Sequence, residues 1–383
     1  MPVRAERPGL YAALLLAACA GHVPPPSPAP IPVAERTVSL FLIGDAGKPD
    51  SAGDAVLAEL ARQTAAAPRG SAILFLGDNL YPRGLPAPDD PERREMERRL
   101  LAQLEVVRRS GLKTVFVPGN HDWARMGADG WNAVRRSETF VRERSQGLAV
   151  QEPGGGCPGP AVVDIGSTFR LLLLDTEWWL RKPAYPKPRD AASGCAEFTE
   201  EAVTRRLSEL LSESGGRNLI VAGHHPLATA GEHGGHFPVL THLFPLRAIR
   251  KWLWIPLPGL GSIYPLARAD GISSEDLSGR ANERMRAAFG RAFEGHPPLL
   301  YAAGHDHNLQ VFRGPGARFS VVSGAGIVQH EGQVGWGKGA VFASDSPGFM
   351  RLDVDPKGRV RLSVTAVGPR GAREAFGIWL TEP

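Results

Sequence analysis

Apolar residues along this chain cluster in short unbroken runs, and five of the runs end on the same punctuation: a glycine followed by residues that bind metals or move protons. Val38 to Ile43 leads into Gly44-Asp45-Ala46-Gly47, Ile73 to Leu76 into Gly77-Asp78-Asn79-Leu80-Tyr81, and Thr114 to Val117 into Pro118-Gly119-Asn120-His121-Asp122. Leu219 to Ala222 leads into Gly223-His224-His225-Pro226, and Leu299 to Ala303 into Gly304-His305-Asp306-His307-Asn308. Continuous apolar runs of this length predict strands buried on both faces. Their carboxyl ends are where open α/β sheets bind ligands, because the loops there vary while the strands hold them rigid. Between the runs, 3.6-residue periodicity predicts helices over Asp54–Ala66 (Val56, Leu57 and Leu60 inward), Glu92–Arg109, Trp131–Arg144, Glu197–Ser212 and 280–294. In the second of these, opened by Asp90-Pro91-Glu92 and closed by Gly111, Leu100, Leu101, Leu104 and Val107 form the expected core stripe. Strands are expected at 161–165 and 169–174, and four or five short strands after His305, including Phe319–Val322 and Arg359–Val367. Trp178 and Trp179 read as core. The order is that of an α/β protein.

Length and composition add one large domain over 37–383, with an insertion rich in Gly, Pro and aromatics at about 231–280. A hydrophobic content of 43% supports a sizeable core. The net charge is only +4, and most of the arginine lies in helical runs, so solvated helix faces are expected and no nucleic-acid partner. Arg4 and Arg7 precede an apolar run from Leu10 to Ala18 that is too short to span a bilayer. It ends in Leu16-Ala17-Ala18-Cys19, which resembles the lipobox of bacterial lipoproteins and implies removal of 1–18 and lipidation of Cys19. His22 to Val33 is proline-rich, within a tether expected over 19–36; its extended length is about 37 Å. These features predict an exported chain, lipid-anchored to a bacterial membrane on the periplasmic side or the cell surface. Cys157 and Cys195 remain, as a disulfide or as two free thiols.

Carboxylate, amide, phenol and imidazole on separate strand ends suit two adjacent cations, since a carboxylate can bridge both and neutral donors complete each shell. The segments GDAG, GDNLY, GNHD, GHHP and GHDH resemble the five motifs of calcineurin-like metallophosphoesterases, and among them the purple acid phosphatases, especially the compact tartrate-resistant kind. The resemblance spans roughly Leu40 to Gly326. It implies a four-layer αββα sandwich of two mixed sheets flanked by helices. Most metallophosphoesterases begin with Asp-x-His, whereas Gly47 stands at the histidine position here, and Tyr81, three residues after Asp78, supplies a phenolate in its place. The resemblance therefore implies Fe(III) on Asp45, Tyr81 and His307, Asp78 bridging, and a divalent ion (Fe, Zn or Mn) on Asn120, His224 and His305.

It also implies catalytic roles for His121, beside a ligand, and for His233, nine residues after His224. His225 and His236 face either substrate or solvent, and Asp122 either caps its loop or acts. The expected activity is hydrolysis of a small phosphomonoester by metal-bound hydroxide. The alternatives are a phosphodiesterase or pyrophosphatase on nucleotide or lipid-linked substrates, and a non-catalytic surface lipoprotein, against which an intact set of buried polar ligands argues. The stretch Arg247–Arg268, with Arg250, Lys251, Trp252, Trp254, Ile255, Leu257, Leu260, Ile263 and Tyr264, either roofs the pocket or lies on the membrane.

Overall fold

The computed structural model describes residues 24–381 except 214, 238, 249, 251 and 328–332, and excludes the side chains at 247 and 248. The signal segment and Cys19 lie outside the described residues.

Two seven-stranded mixed sheets form the centre. In the first, β1 (Val38–Ile43), β2 (Ala72–Leu76), β3 (Lys113–Val117) and β4 (Ala149–Gln151) run parallel. β12 (Gly348–Val354) pairs antiparallel with β1 and continues into the meander of β13 (Val360–Gly368) and β14 (Gly371–Trp379). In the second, β6 (Phe169–Leu173), β7 (Asn218–Ala222), β8 (Leu300–Ala303) and β10 (Phe319–Ser323) are parallel. β5 (Ala161–Ile165) closes one edge of that sheet, and β9 (Leu309–Arg313) and β11 (Ala340–Ser344) close the other.

The period of two along each strand builds the layers. Leu74 and Leu76 of β2 join Leu171, Leu173, Ile220 and Ala302 between the sheets, while Ile73 and Phe75 face outward. Onto that outer face pack α1 (Ala55–Ala65), α2 (Arg93–Ser110) and α3 (Gly130–Arg144). On the outside of the second sheet, α4 (Thr176–Leu180), α5 (Glu200–Ser212) and α8 (Arg280–Phe293) bury Trp178, Trp179, Leu207 and Phe289. The order helix, sheet, sheet, helix is the expected four-layer sandwich. The insertion contributes two short helices, α6 (Val239–Leu243) and α7 (Ile263–Ala269).

Four expectations need adjustment. Six strands follow His305 where four or five were expected; the last of them, β14, opens on the polar run Gly371-Ala372-Arg373-Glu374. Leu101 is 44% exposed, and Gln103 takes a buried place on α2 instead, its amide donating to the Asn79 carbonyl at 2.8 Å. The Glu197–Ser212 helix begins only at Glu200, where Thr199 caps it by accepting from the Ala202 amide. The proline-rich segment docks from Ser27 onward: β14 is an edge strand, and its Gly377 amide donates to Ser27 Oγ at 2.9 Å, while Arg361 donates to the Pro28 carbonyl at 2.7 Å. Cys157 and Cys195 form a disulfide that ties the loop before β5 to the loop before α5.

Candidate metal centre

β1, β2 and β3 deliver Asp45, Asp78 and Asn120 from the first sheet, and β7 and β8 deliver His224, His305 and His307 from the second, so the two carboxyl edges meet at one point. Asp45, Asp78 and His305 all have positive φ (61°, 52° and 72°), a left-handed conformation that costs non-glycine residues free energy and recurs at functional sites. Hydrogen bonds hold it in place. Asp45 Oδ2 accepts from the His305 amide at 2.9 Å, and Asp78 Oδ1 from the His121 amide at 2.8 Å. Gly77, at φ 91°, precedes Asp78, and a Cβ there would lie 2.5 Å from His224 Nδ1.

The donors converge. His224 Nδ1 donates to the Leu76 carbonyl at 2.8 Å, which fixes the ring and turns Nε2 inward. That Nε2 lies 3.0 Å from Asn120 Oδ1, 3.3 Å from His305 Nδ1 and 3.4 Å from Asp78 Oδ1. One ligand atom from each of Asp45, Asp78 and His224 lies within 4.8 Å of the others. The Tyr81 hydroxyl donates to Asp45 Oδ1 at 2.9 Å and sits 3.1 Å from His307 Nε2. His305 Nε2 is buried with no hydrogen-bond partner among the described residues.

Electrostatics says what this set needs. Burial alone would lower the His224 pKa, but Asp78 and Asp45 outweigh it and raise it to about 10, so a proton or another cation must hold these lone pairs together. Burial would raise the Asp78 pKa, yet His224 and His121 hold it well below the ordinary carboxylate range. Tyr81 is pushed well above its ordinary value by burial and then by Asp45 and Asp78, so its phenolate forms only beside a strong cation. Hard oxygen donors with imidazoles on either side of Asp78 fit two such ions.

The position without a histidine is closed. A Cβ on Gly47 would lie 2.4 Å from the Asn79 carbonyl carbon and the Leu80 nitrogen, and the Tyr81 amide donates to the Gly47 carbonyl at 3.2 Å. The loop that brings the phenol thus occupies the space a histidine would need.

Of the remaining residues named from sequence, His121 and His233 line a cavity of about 330 Å3 over Asp78, Asn120, His305 and His307. His121 Nδ1 donates to the Pro82 carbonyl at 2.7 Å, leaving Nε2 at 3.9 Å from Asp78 Oδ2. His233 donates from Nδ1 to Asp276 Oδ1 at 2.9 Å, and its ring centroid is 3.8 Å from that of His305. His225 is a correction. It faces neither substrate nor solvent: it is wholly buried beside His224 and His305, with a ring nitrogen within 4.8 Å of a ligand atom of each, its Nδ1 lies 2.8 Å from the Thr176 hydroxyl, and it does not line the cavity. His236 is exposed and also outside the cavity lining. Asp122 is a brace: its two oxygens accept from the amides of Gly119, Asn79 and Leu80 and from the Asn79 side chain, tying the Asp78 loop to the Asn120 loop.

The far wall of the cavity comes from the insertion: Tyr264 and Arg268 belong to the stretch expected either to roof the pocket or to lie on the membrane, whereas Ser273 and Glu275 were not singled out from sequence. Glu275 accepts from the Asn120 side-chain amide at 3.2 Å, which turns Asn120 Oδ1 toward His224. Arg268 donates to both oxygens of Asp276, with Nη2 at 2.6 Å from Oδ1, and so fixes the carboxylate that fixes His233. No motif spacing marks these residues. The acid pair Glu275-Asp276 near the insertion's end is the signal that could have found them.

Residues 39–254 match the family model for calcineurin-like phosphoesterases. The chain belongs to this family. Its structure is similar to the purple acid phosphatase PPD1 of yellow lupin (Lupinus luteus; TM-score 0.51, 15% identity, covering 91% of this chain and 55% of that one). It is similar also to PhoD (TM-score 0.53, 10% identity, 91% and 73%) and to GAP50, the anchor in the inner membrane complex of Plasmodium (TM-score 0.50, 15% identity, 90% and 89%). At these identities the likeness is one of fold. No curated protein sequence matches the chain. The family match ends before Gly304-His305-Asp306-His307, which the second sheet carries back to the phosphoesterase centre.

Asp122 yields a test of how the centre is built. Asp122→Ala orphans four buried donors, each costing roughly 1–3 kcal/mol, so urea denaturation should show a loss of about 3 kcal/mol or more. Asp122→Asn, which keeps one acceptor oxygen, should lose clearly less; equal losses would contradict the bracing role.

Proposed function

We propose that the chain hydrolyses phosphomonoesters at a dinuclear centre in which Asp45, Tyr81 and His307 hold Fe(III), Asn120, His224 and His305 hold a divalent Fe, Zn or Mn ion, and Asp78 is shared. The observation that carries the reading is the exchange at Gly47: the backbone excludes a ligand there, and the Tyr81 hydroxyl lies between Asp45 and His307. Bound cations supply charge neutralisation for the phosphoryl group and an activated water. The chain's own residues do the rest. His121, with Nδ1 committed to Pro82, offers Nε2 to the phosphate or to the departing oxygen. His233, aligned by Asp276, offers its other nitrogen from the opposite wall, and Arg125 and Arg268 add positive charge around the substrate. A cavity of about 330 Å3 is near the lower end of the roughly 300–1,000 Å3 typical of ligand sites, and the wall of Tyr264 and Arg268 narrows it, which favours a monoester over a diester.

We extend this to an exported protein anchored through Cys19, supported by the Cys157–Cys195 disulfide, a bond that persists in oxidising compartments. Cys19→Ser should move the chain from the membrane to the soluble fraction; a wild-type chain that is already soluble would contradict the anchor.

The catalytic reading is tested by paired variants on a small soluble ester such as p-nitrophenyl phosphate. Asp78→Asn should lose both metals and all turnover, whereas His121→Ala should keep both metals and lose about 100- to 10,000-fold in kcat. Normal metal content and turnover in Asp78→Asn would remove the shared ligand, and metal loss in His121→Ala would reverse the assigned roles.

A further inference from the structure

The insertion that walls the cavity has a second, outward face. Between Glu232 and Asp270 the chain carries no carboxylate, while Arg247, Arg250 and Lys251 bring three positive charges besides Arg268, which pairs with Asp276. Eleven of the fifteen large apolar side chains exposed among the described residues fall in residues 239–272, including Trp252 at 73%, Leu260 at 62% and Leu266 at 60%. A contiguous run of exposed apolar residues marks an interaction site rather than ordinary surface. On α7 the two faces divide by helical spacing: Tyr264 and Arg268, four apart, line the cavity, and Ile263 and Leu266, three apart, face solvent. The stretch is not a membrane span, since no helix among the described residues is long and apolar enough to cross one.

Tryptophan and tyrosine beside aliphatic residues, with cations and a single acid at the segment's end, Asp270, are what the headgroup zone of an anionic bilayer accommodates. An acidic partner protein would offer the charge but no continuous apolar layer for eleven side chains. We infer that the outer face of residues 239–272 docks on an anionic lipid bilayer, which puts the cavity mouth at headgroup level and makes phosphate monoesters borne by amphiphiles its substrates. The second half of this inference rests on the phosphomonoesterase reading; the docking itself does not.

On this inference the two expected roles of the stretch, pocket roof and membrane contact, fall to different residues. Arg268 belongs to the roof, turned onto Asp276, whereas Trp252, Leu260 and Leu266 belong to the surface.

The test uses the full metal-loaded chain with phosphatidylglycerol vesicles that contain phosphatidate and carry brominated acyl chains. Tryptophan emission should be quenched, and the quenching should largely vanish in Trp252→Phe/Trp254→Phe. In Trp252→Ser/Leu266→Ser, kcat/KM on vesicle phosphatidate should fall by about 10-fold or more while turnover of p-nitrophenyl phosphate stays within about twofold, which also shows that the variant is folded. Absent quenching, or quenching that survives Trp252→Phe/Trp254→Phe, overturns the docking. Equal losses on the two substrates would make the segment pocket wall alone, and a dimer in sedimentation that dissociates in Trp252→Ser/Leu266→Ser would make the face a contact between copies. If the wild-type chain quenches on vesicles but hydrolyses neither phosphate, docking stands and the phosphomonoesterase reading falls.

Discussion

Asp45 and Asp78, wholly buried, face imidazoles, an amide oxygen and a phenol with their lone pairs turned toward one another. Such a set stays together only around positive charge, because an unpaired buried carboxylate costs several kcal/mol. Everything nearby follows from that constraint. Three residues of the centre accept left-handed backbone so that their side chains point inward, and the strands behind them, apolar on both faces, are rigid enough to hold that strain. The Leu76 carbonyl orients His224, Glu275 orients Asn120, and Asp122 locks two of the loops. The scaffold is thus arranged to keep like-charged and lone-pair donors at distances they would not choose in water.

Much of this was legible in the sequence because the signals are local. A buried strand in a parallel sheet must be apolar throughout, and a strand end that binds must change to glycine and polar residues at once, so β1, β2, β3, β7 and β8 and the residues after them stand out from any background. The Gly47 and Tyr81 exchange was legible too, though not its steric cause: nothing in the sequence says that Asn79 and Leu80 press against Gly47. What escaped was everything carried by long-range contact. Leu101 sits on the same periodic stripe as Leu100 and Leu104 but at its margin, where one position of helical phase decides burial. His225 shares a motif with His224 but is buried against Thr176, out of the cavity, by packing that the motif does not show. Glu275 and Asp276 come from a segment without regular pattern, and only the folded chain brings Glu275 to Asn120 and Asp276 to His233.

The insertion joins these themes. One short helix presents Tyr264 and Arg268 to the cavity and Ile263 and Leu266 to the outside, so the cavity wall and the exposed apolar face are parts of one element.

The central claim is that a trivalent cation sits against Tyr81, since burial and two carboxylates otherwise keep that phenol protonated. The most direct measurement is the visible absorption spectrum of the purified chain, with its metal content, compared with that of Tyr81→Phe. The account predicts two metals per chain with iron among them, and a phenolate-to-iron charge-transfer band in the visible that Tyr81→Phe abolishes. A colourless, iron-free chain, or a band that persists without the Tyr81 hydroxyl, would contradict it.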